Sequence, residues 1–290
     1  MDTRVKGDTH IFASIGDPVK YSLSPQIHNS IFSLNHLNNI HLTLKIAEGD
    51  LENYIHIIRN NFSGISVTKP HKQSIIPYLD QIDEDAAKFQ AVNAVKIENG
   101  LLKGYNTDGY GFVKSLELHN IDIDGKKILL IGAGGASRVL AFEILRLGGK
   151  LTITNRSLKN ALKLKDDLLQ YFNQEQVTIC EMDDLTCGYF GIVNATPIGM
   201  APDIGNAPIE EPILKGSNFV FDLIYNPERT LLLDYAKKEG CKCINGFSML
   251  FYQAIKAQEI WTGKITDKAA LLKVKEEIEE YLRKDAVTAK

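Results

Sequence analysis

Two clusters in this 290-residue chain have residue types and spacings suited to chemistry. The first is Gly132-Ala133-Gly134-Gly135-Ala136-Ser137, set between the apolar run Lys127–Ile131 and a helical pattern of Val139, Leu140, Phe142, Ile144 and Leu147. A glycine turn from a buried strand into a helix lets backbone N–H groups approach a pyrophosphate at the helix N-terminus. Placement makes the signal informative, since a glycine cluster elsewhere is only a tight turn. Gly148-Gly149 and the apolar run Leu151–Thr154 complete a βαβ unit, which ends in Asn155-Arg156-Ser157 with Lys159 beyond. An NAD site carries an acidic residue at that end, roughly 20 residues past the glycines, to accept from the ribose 2′-hydroxyl. A carboxylate would repel a 2′-phosphate, whereas a guanidinium pairs with it. The unit therefore predicts NADP, held by Gly132, Ala133, Gly134, Gly135, Ala136, Asn155, Arg156, Ser157 and Lys159.

The second cluster lies nearer the N-terminus. In Ser22-Leu23-Ser24-Pro25, Pro25 suits the first turn of a helix and Ser24 its N-cap, which leaves Ser22 without a role. Two hydroxyls beside a helix N-terminus can also hold a ligand carboxylate without a cation. Farther on, Thr68-Lys69-Pro70-His71-Lys72 ends a third strand and opens a helix. A lysine is unfavourable beside the positive end of a helix dipole, so Lys72 asks for a carboxylate partner or a ligand. Two later loops, Asn194–Met200 with Thr196 and Asp222–Pro227 with Leu223 and Tyr225, follow apolar strands and are predicted to lie over the nucleotide side of their sheet. Ordinary turn chemistry accounts for their Gly, Pro and Asn as well.

The elements that must position these residues are those of an α/β protein. Residues 10 to 16 read as a strand, followed by a helix through Ile27, Ile31 and Leu34. An alternating strand covers residues 40 to 46, and Asp50 caps a helix with Leu51, Tyr54, Ile55 and Ile58 on one face. The third strand, Gly64–Thr68, leads to a helix through Ile75, Ile76 and Leu79, and Asp83-Glu84-Asp85 starts a short one. Asn99-Gly100 supplies a type I′ turn between two runs of a hairpin. Phe112, Leu116 and Leu118 mark a helix leading out of this first, parallel-rich layer. Further apolar strands follow the glycine unit at Val177–Cys180, Ile192–Ala195 and Phe219–Leu223. Two helices close the chain, Phe247–Trp261 and Ala269–Lys284, the second with Leu271, Val274, Ile278, Tyr281 and Leu282 as a buried stripe. Pairs Glu279–Arg283 and Glu280–Lys284 support its solvent face, and Ala286–Lys290 reads as a frayed tail. With no strand left to cover, these helices are expected to return to the first domain.

Composition narrows the function classes. Apolar residues make up 44% and charged ones 24%, within the range of globular proteins, and the length allows two cores. A net charge of −3 gives no basis for binding nucleic acid or an anionic membrane. No apolar run approaches the roughly 18 residues of a membrane span, and the N-terminus lacks a signal-peptide core. Cys180, Cys187, Cys241 and Cys243 show no zinc spacing, so they are expected to be reduced and structural, in a cytoplasmic protein without a metal.

From about Ile11 to Gly263 the chain resembles the shikimate dehydrogenase family. The shared motifs run in family order: Gly16-x-Pro18 with Ser22-x-Ser24-Pro25-x-x-His28-Asn29; Val67-Thr68-x-Pro70-x-Lys72; Ala91-Val92-Asn93; Asn106-Thr107-Asp108-Gly109; Gly132-x-Gly134-Gly135-Ala136; Asn155-Arg156; Asn194-Ala195-Thr196-x-x-Gly199-Met200; Asp222-x-x-Tyr225-x-Pro227; and Gly246-x-x-Met249-Leu250-x-x-Gln253-Ala254. The resemblance implies an α/β fold of two domains: residues 1–107 with 247–290 for substrate, and a Rossmann-type NADP domain over 108–246. It implies NADPH-dependent reduction of 3-dehydroshikimate to shikimate, a step toward chorismate and the aromatic amino acids, in a monomer or homodimer. By analogy Lys72 and Asp108 are the catalytic pair. Ser22 and Ser24 bind the substrate carboxylate, while Thr68, Asn93, Tyr225 and Gln253 contact the rest of the substrate. Thr196, Leu223 and Gly246, and Glu84 as well, join the cofactor residues. The strand-three motif begins with Ser66 where the family usually has Asn, which puts substrate affinity or specificity in doubt. A quinate/shikimate dehydrogenase of broader specificity and a non-catalytic NADPH-binding regulator are the alternatives. A methylenetetrahydrofolate dehydrogenase has a related plan but lacks the paired serines and the Asn-Thr-Asp segment.

Overall fold

The computed structural model describes residues 5–20 and 22–288, with side chains through Leu282. It divides into two compact units, Met1–Tyr110 with Phe251–Asp285, and Gly111–Leu250 with Ala286–Lys290.

Unit 1 begins with β1 (His10–Gly16), α1 (Ser24–Leu34), β2 (Asn39–Lys45), α2 (Leu51–Asn61), β3 (Gly64–Val67) and α3 (His71–Ser74). It continues through β4 (Gln81–Ile82), α4 (Glu84–Phe89), β5 (Ala94–Glu98), β6 (Leu101–Tyr105) and the start of α5 (Asp108–Leu118). The sheet order is β2-β1-β3-β5-β6-β4. β1 pairs in parallel with β2 and β3, and the β5–β6 hairpin adds antiparallel strands. Asn99 and Gly100 both take the positive φ (53° and 76°) that a type I′ turn requires. One face is filled by Ile15, Ile65, Val67, Ile75 and Val95, and the other by Phe12, Phe32 and Trp261.

Unit 2 contains β7 (Lys127–Ile131), α6 (Gly135–Arg146), β8 (Lys150–Thr154), α7 (Leu158–Leu168), β9 (Val177–Ile179), β10 (Gly191–Asn194), β11 (Phe219–Asp222), α8 (Leu231–Lys238) and β12 (Lys242–Asn245). Its sheet, β12-β11-β10-β7-β8-β9, is parallel throughout. The chain closes with α9 (Phe247–Thr262) and α10 (Lys268–Thr288). Residues of α9 and the following loop are tied into unit 1: Gln258 Nε2 donates to the His28 carbonyl at 2.9 Å, and Asn35 Nδ2 donates to Thr266 Oγ1 at 2.7 Å.

Several local expectations are corrected. Leu23 occupies the N-cap of α1 and makes no side-chain cap; Ser24 is the first helical residue, and Ser22 Oγ accepts from its N–H at 3.2 Å. The hydroxyl left without a role is therefore the one that receives a backbone donor. Asp50 sits at the N-cap of α2 without a side-chain hydrogen bond. The helix expected through Leu79 stops after Ser74 and becomes a 3₁₀ turn over Ile76–Tyr78, because Pro77 supplies no N–H. The alternation of β2 is inverted at its start: His41 is buried and Leu42 exposed, since Phe32 and Trp261 line the face that His41 joins. Tyr54, Leu118 and Tyr281 stand at the edges of their apolar stripes and are exposed. Glu279 pairs with Lys275; Arg283 and Lys284 lie outside the described side chains. α10 extends to Thr288, and the last two residues of the expected tail lie outside the described residues. All four cysteines are free, but Cys187 and Cys243 are exposed, so the structural role holds best for buried Cys241.

Candidate active site

In unit 1, a buried amide organises the polar groups. Asn93 lies just before β5 and is 4% exposed. Its Nδ2 donates to Asp108 Oδ1 at 2.8 Å, with Thr107 Oγ1 at 3.0 Å and Gln253 Oε1 at 3.2 Å. Its Oδ1 accepts from the Thr107 backbone N–H at 2.7 Å. Asp108 opens α5, where a carboxylate is favoured by the helix dipole, and its N–H donates to Asn106 Oδ1 at 3.0 Å. The second carboxylate oxygen, Oδ2, accepts from Lys72 Nζ at 2.5 Å. The Asp108 side chain is 8% exposed and that of Lys72 20%, so the charge pair is shielded but reachable. Asp108 uses one of three ammonium donors, which leaves Lys72 able to address a ligand oxygen.

Lys72 thus has the carboxylate partner that its place at a helix start demands. Ser22, Ser24 and Thr68 follow β1 and β3, neighbouring parallel strands, at their C-terminal ends. The two loops are joined by the Asp17 N–H donating to the Lys69 carbonyl at 3.0 Å. Among the described residues no hydrogen bond links Ser22, Ser24 or Thr68 to the Lys72–Asp108 network. Glu84 lies apart from it. Exposed on α4, it accepts from Lys88 Nζ at 2.6 Å, and this neighbour holds its carboxyl below the usual range.

In unit 2 the groups are largely backbone. Gly132 has φ of +115°, and a Cβ there would lie 2.9 Å from Ser137 Oγ and 3.2 Å from the Thr196 methyl. The turn therefore packs directly on the loop after β10. Ser137 Oγ accepts from the Gly134 N–H at 3.2 Å. By contrast, a Cβ at Gly134 or Gly135 would meet nothing within 4 Å, so open space lies over the start of α6. Asn155 Nδ2 donates to the Ser157 carbonyl at 2.9 Å and shapes the turn into α7. Arg156 and Lys159 are exposed there, and among the described residues neither is ion-paired. A helix N-terminus with open space over its glycines, beside two exposed cations, fits a phosphorylated dinucleotide. Thr196 Oγ1 donates to Asn194 Oδ1 at 2.7 Å. Gly246 abuts the Leu223 backbone so closely that a Cβ would overlap the Leu223 carbonyl. Tyr225 is half-buried in the loop after β11.

Three buried residues with structural parts in these sites were not singled out from the sequence. Thr107 ties Asn93 to Gln253, with Oγ1 donating to Gln253 Oε1 at 3.3 Å. His71, next to Lys72, has its ring Nε2 2.8 Å from the Ile46 carbonyl. Asp222, treated only as part of a turn, accepts from Asn194 Nδ2 at 3.0 Å, Ile224 N–H at 3.1 Å and Thr230 Oγ1 at 2.6 Å. Burial pushes its carboxyl up to about 6 despite these donors. Thr107 and Asp222 lie inside the quoted motifs, which was the available signal; the His71 contact is made across 25 residues and has no local one.

Two α/β units, one holding a lysine–carboxylate pair and the other a glycine turn at the head of a parallel sheet, define a dinucleotide-dependent class of enzyme fold. The profile of the shikimate dehydrogenase substrate-binding domain matches residues 14–95. A shikimate dehydrogenase (NADP(+)) of Caldanaerobacter subterraneus is 41% identical over 91% of this chain and 96% of its own length. A crystal structure of shikimate dehydrogenase in complex with NADP+ superposes with a TM-score of 0.89 at 37% identity, covering 94% of this chain and 97% of its own. The Thermus thermophilus enzyme, in complex with NADP(H) and shikimate, gives a TM-score of 0.84 at 28% identity over 92% and 99%. The chain belongs to the shikimate dehydrogenase family.

Proposed function

We propose that this protein catalyses the reversible, NADP-linked interconversion of 3-dehydroshikimate and shikimate, a step in aromatic amino acid biosynthesis. The observation that carries the reading is the shielded Lys72–Asp108 pair at 2.5 Å, with the second Asp108 oxygen held by Asn93. NADPH, when bound, supplies the hydride. The residues of the chain supply the rest. Lys72 places positive charge where the substrate carbonyl oxygen becomes an alkoxide, and delivers a proton to that oxygen from Nζ. Asp108 keeps the ammonium oriented and accepts from a neighbouring substrate hydroxyl. Asn93 and Gln253 present amide groups to the remaining hydroxyls, Thr68 adds a hydroxyl, and Ser22 and Ser24 hold the substrate carboxylate. Tyr225 is the remaining substrate contact of this reading.

Gly132, Ala133, Gly134, Gly135 and Ala136 would receive the pyrophosphate. Asn155, Arg156, Ser157 and Lys159 would take the 2′-phosphorylated ribose, while Thr196, Leu223 and Gly246 would lie toward the nicotinamide. The functional division follows, with residues 1–107 and 247–290 for substrate and 108–246 for NADP. No helix among the described residues is long and apolar enough to cross a membrane. The predicted ligands are small molecules.

The test is an absorbance assay at 340 nm with shikimate or quinate against NADP or NAD. Shikimate with NADP should be turned over fastest. A faster reaction with quinate would favour the broader-specificity alternative, and no reaction with any pair would leave the non-catalytic regulator.

A further inference from the structure

We infer that His71 is a positioning residue for the proposed Lys72 chemistry, acting as a clamp that holds the turn bearing Lys72 against the end of β2. The inference rests on the proposed role of Lys72. α3 spans only His71–Ser74, too short to hold its shape unaided. Its orientation must come from outside contacts, and the described ones are few. The His71 N–H donates to the Thr68 carbonyl at 2.8 Å, and the Lys72 carbonyl accepts from the Val92 N–H at 2.8 Å. Beside these bonds and the buried Ile75 at the C-terminal end of α3, the anchor is the His71 ring, 1% exposed, whose Nε2 lies 2.8 Å from the Ile46 carbonyl just past β2.

A carbonyl can only accept, so Nε2 carries the proton and donates. Nδ1 lies 3.3 Å from Ser74 Oγ on the same turn, a hydroxyl that can pair with it as donor or acceptor. One imidazole thereby ties the first and last residues of α3 to the segment just past β2. Lys72 lies between these two anchors, and its Nζ reaches Asp108 at 2.5 Å. Loss of the ring N–H would leave the Ile46 carbonyl buried without this donor and α3 held at its start only by the Thr68 and Val92 contacts, free to shift about the buried Ile75. A shift of about 1 Å in a reacting group is enough to lower turnover about 100-fold.

The test compares His71→Phe, which keeps an aromatic ring but has no donor, with His71→Gln, which restores an N–H, and with Lys72→Ala. Turnover is expressed per folded enzyme, counted by the Trp261 fluorescence of unfolding curves. H71F is expected to lower kcat about 10- to 100-fold with KM for shikimate within about 3-fold, and to raise the solvent deuterium isotope effect on kcat. H71Q, whose amide restores the donor in altered geometry, is expected to recover part of kcat, with an isotope effect between those of the unaltered protein and H71F. Should H71F fail to fold, H71Q carries the test alone: a restored amide donor predicts an intermediate kcat and isotope effect. Normal turnover in folded H71F, or in H71Q an unchanged isotope effect with loss confined to the folded fraction, would overturn the clamp. Lys72→Ala separates the two readings. An active K72A variant removes the chemistry itself, whereas an inactive one beside normal His71 variants removes only the clamp.

Discussion

The two units prepare their polar groups in contrasting ways. Unit 1 sets side chain against side chain below the surface, with Lys72, Asp108, Asn93, Thr107 and Gln253 joined before any ligand arrives. Unit 2 offers a backbone turn, open space over Gly134 and Gly135, and exposed cations at Arg156 and Lys159. The difference follows from the work each is proposed to do. Proton delivery needs a charge fixed to within a fraction of an ångström, and only a packed network gives that. A phosphate presents several equivalent oxygens, so N–H groups and an exposed guanidinium suffice.

Substitutions should divide along the same line. The largest effect is expected in unit 1: Lys72→Ala should lower kcat roughly 100- to 10,000-fold, the range for a general acid–base group, in steady-state assays with NADP saturating. In unit 2, Arg156→Ala should weaken NADP about 10- to 150-fold, corresponding to a charge-assisted bond of about 1.5–3 kcal/mol, with kcat little changed. A titration of both nucleotides checks it, and equal use of NAD and NADP by the unaltered protein would erase the predicted contrast. The smallest effect belongs to Glu84→Ala. Glu84 is an exposed cofactor candidate already paired to Lys88, so its loss should change nucleotide affinity by no more than about 2-fold and leave kcat unaltered.

Acid should sharpen the comparison through stability. His28 and His41 stack in the core of unit 1 with ring centroids 4.3 Å apart, His28 5.0 Å from Trp261. Burial, with His41 beside it, holds His28 well below 6.5, and burial lowers His41 to about 3. Below pH 6.5 the unfolded chain takes up protons that the folded histidines refuse, so stability falls by about 1.4 kcal/mol per pH unit for each. Asp222 in unit 2 behaves in the opposite sense. Its carboxyl is raised from 3.8 to about 6, so its contribution is complete below pH 4 and lost as pH rises through about 6. Urea unfolding at pH 7.5 and 5.5, followed by the single tryptophan, Trp261, should show unit 1 losing about 3 kcal/mol in acid. An unchanged midpoint would contradict neutral buried histidines.

Legibility in the sequence followed the same division. The glycine unit is local: strand, turn and helix are adjacent, and Lys127–Ile131 and Gly135–Arg146 carry their periods openly. The hairpin was equally plain because Asn99-Gly100 states its own turn. Strand β12 carries Lys242 and Asn245 at its ends and shows no apolar run, so pairing with β11 had to reveal it. In unit 1 the catalytic candidates came from motif resemblance, since Lys72, Asn93, Asp108 and Gln253 meet across long stretches of chain and no spacing predicts that. Ser24 reads as a cap because N-cap preference is local, whereas its backbone N–H donates to Ser22 and Leu23 holds the N-cap position. The buried His28–His41 stack was likewise invisible, as His41 follows tertiary packing against α1 and α9 instead of strand alternation.

The most direct test of the account is a double-mutant cycle of Lys72→Ala and Asp108→Ala, read as single-turnover reduction of 3-dehydroshikimate. If the two act as one device, the double variant should be no slower than Lys72→Ala alone, within about 3-fold, because removing either leaves its partner without function. Losses that multiply, or a Lys72→Ala variant near full speed, would contradict a joint role for the pair.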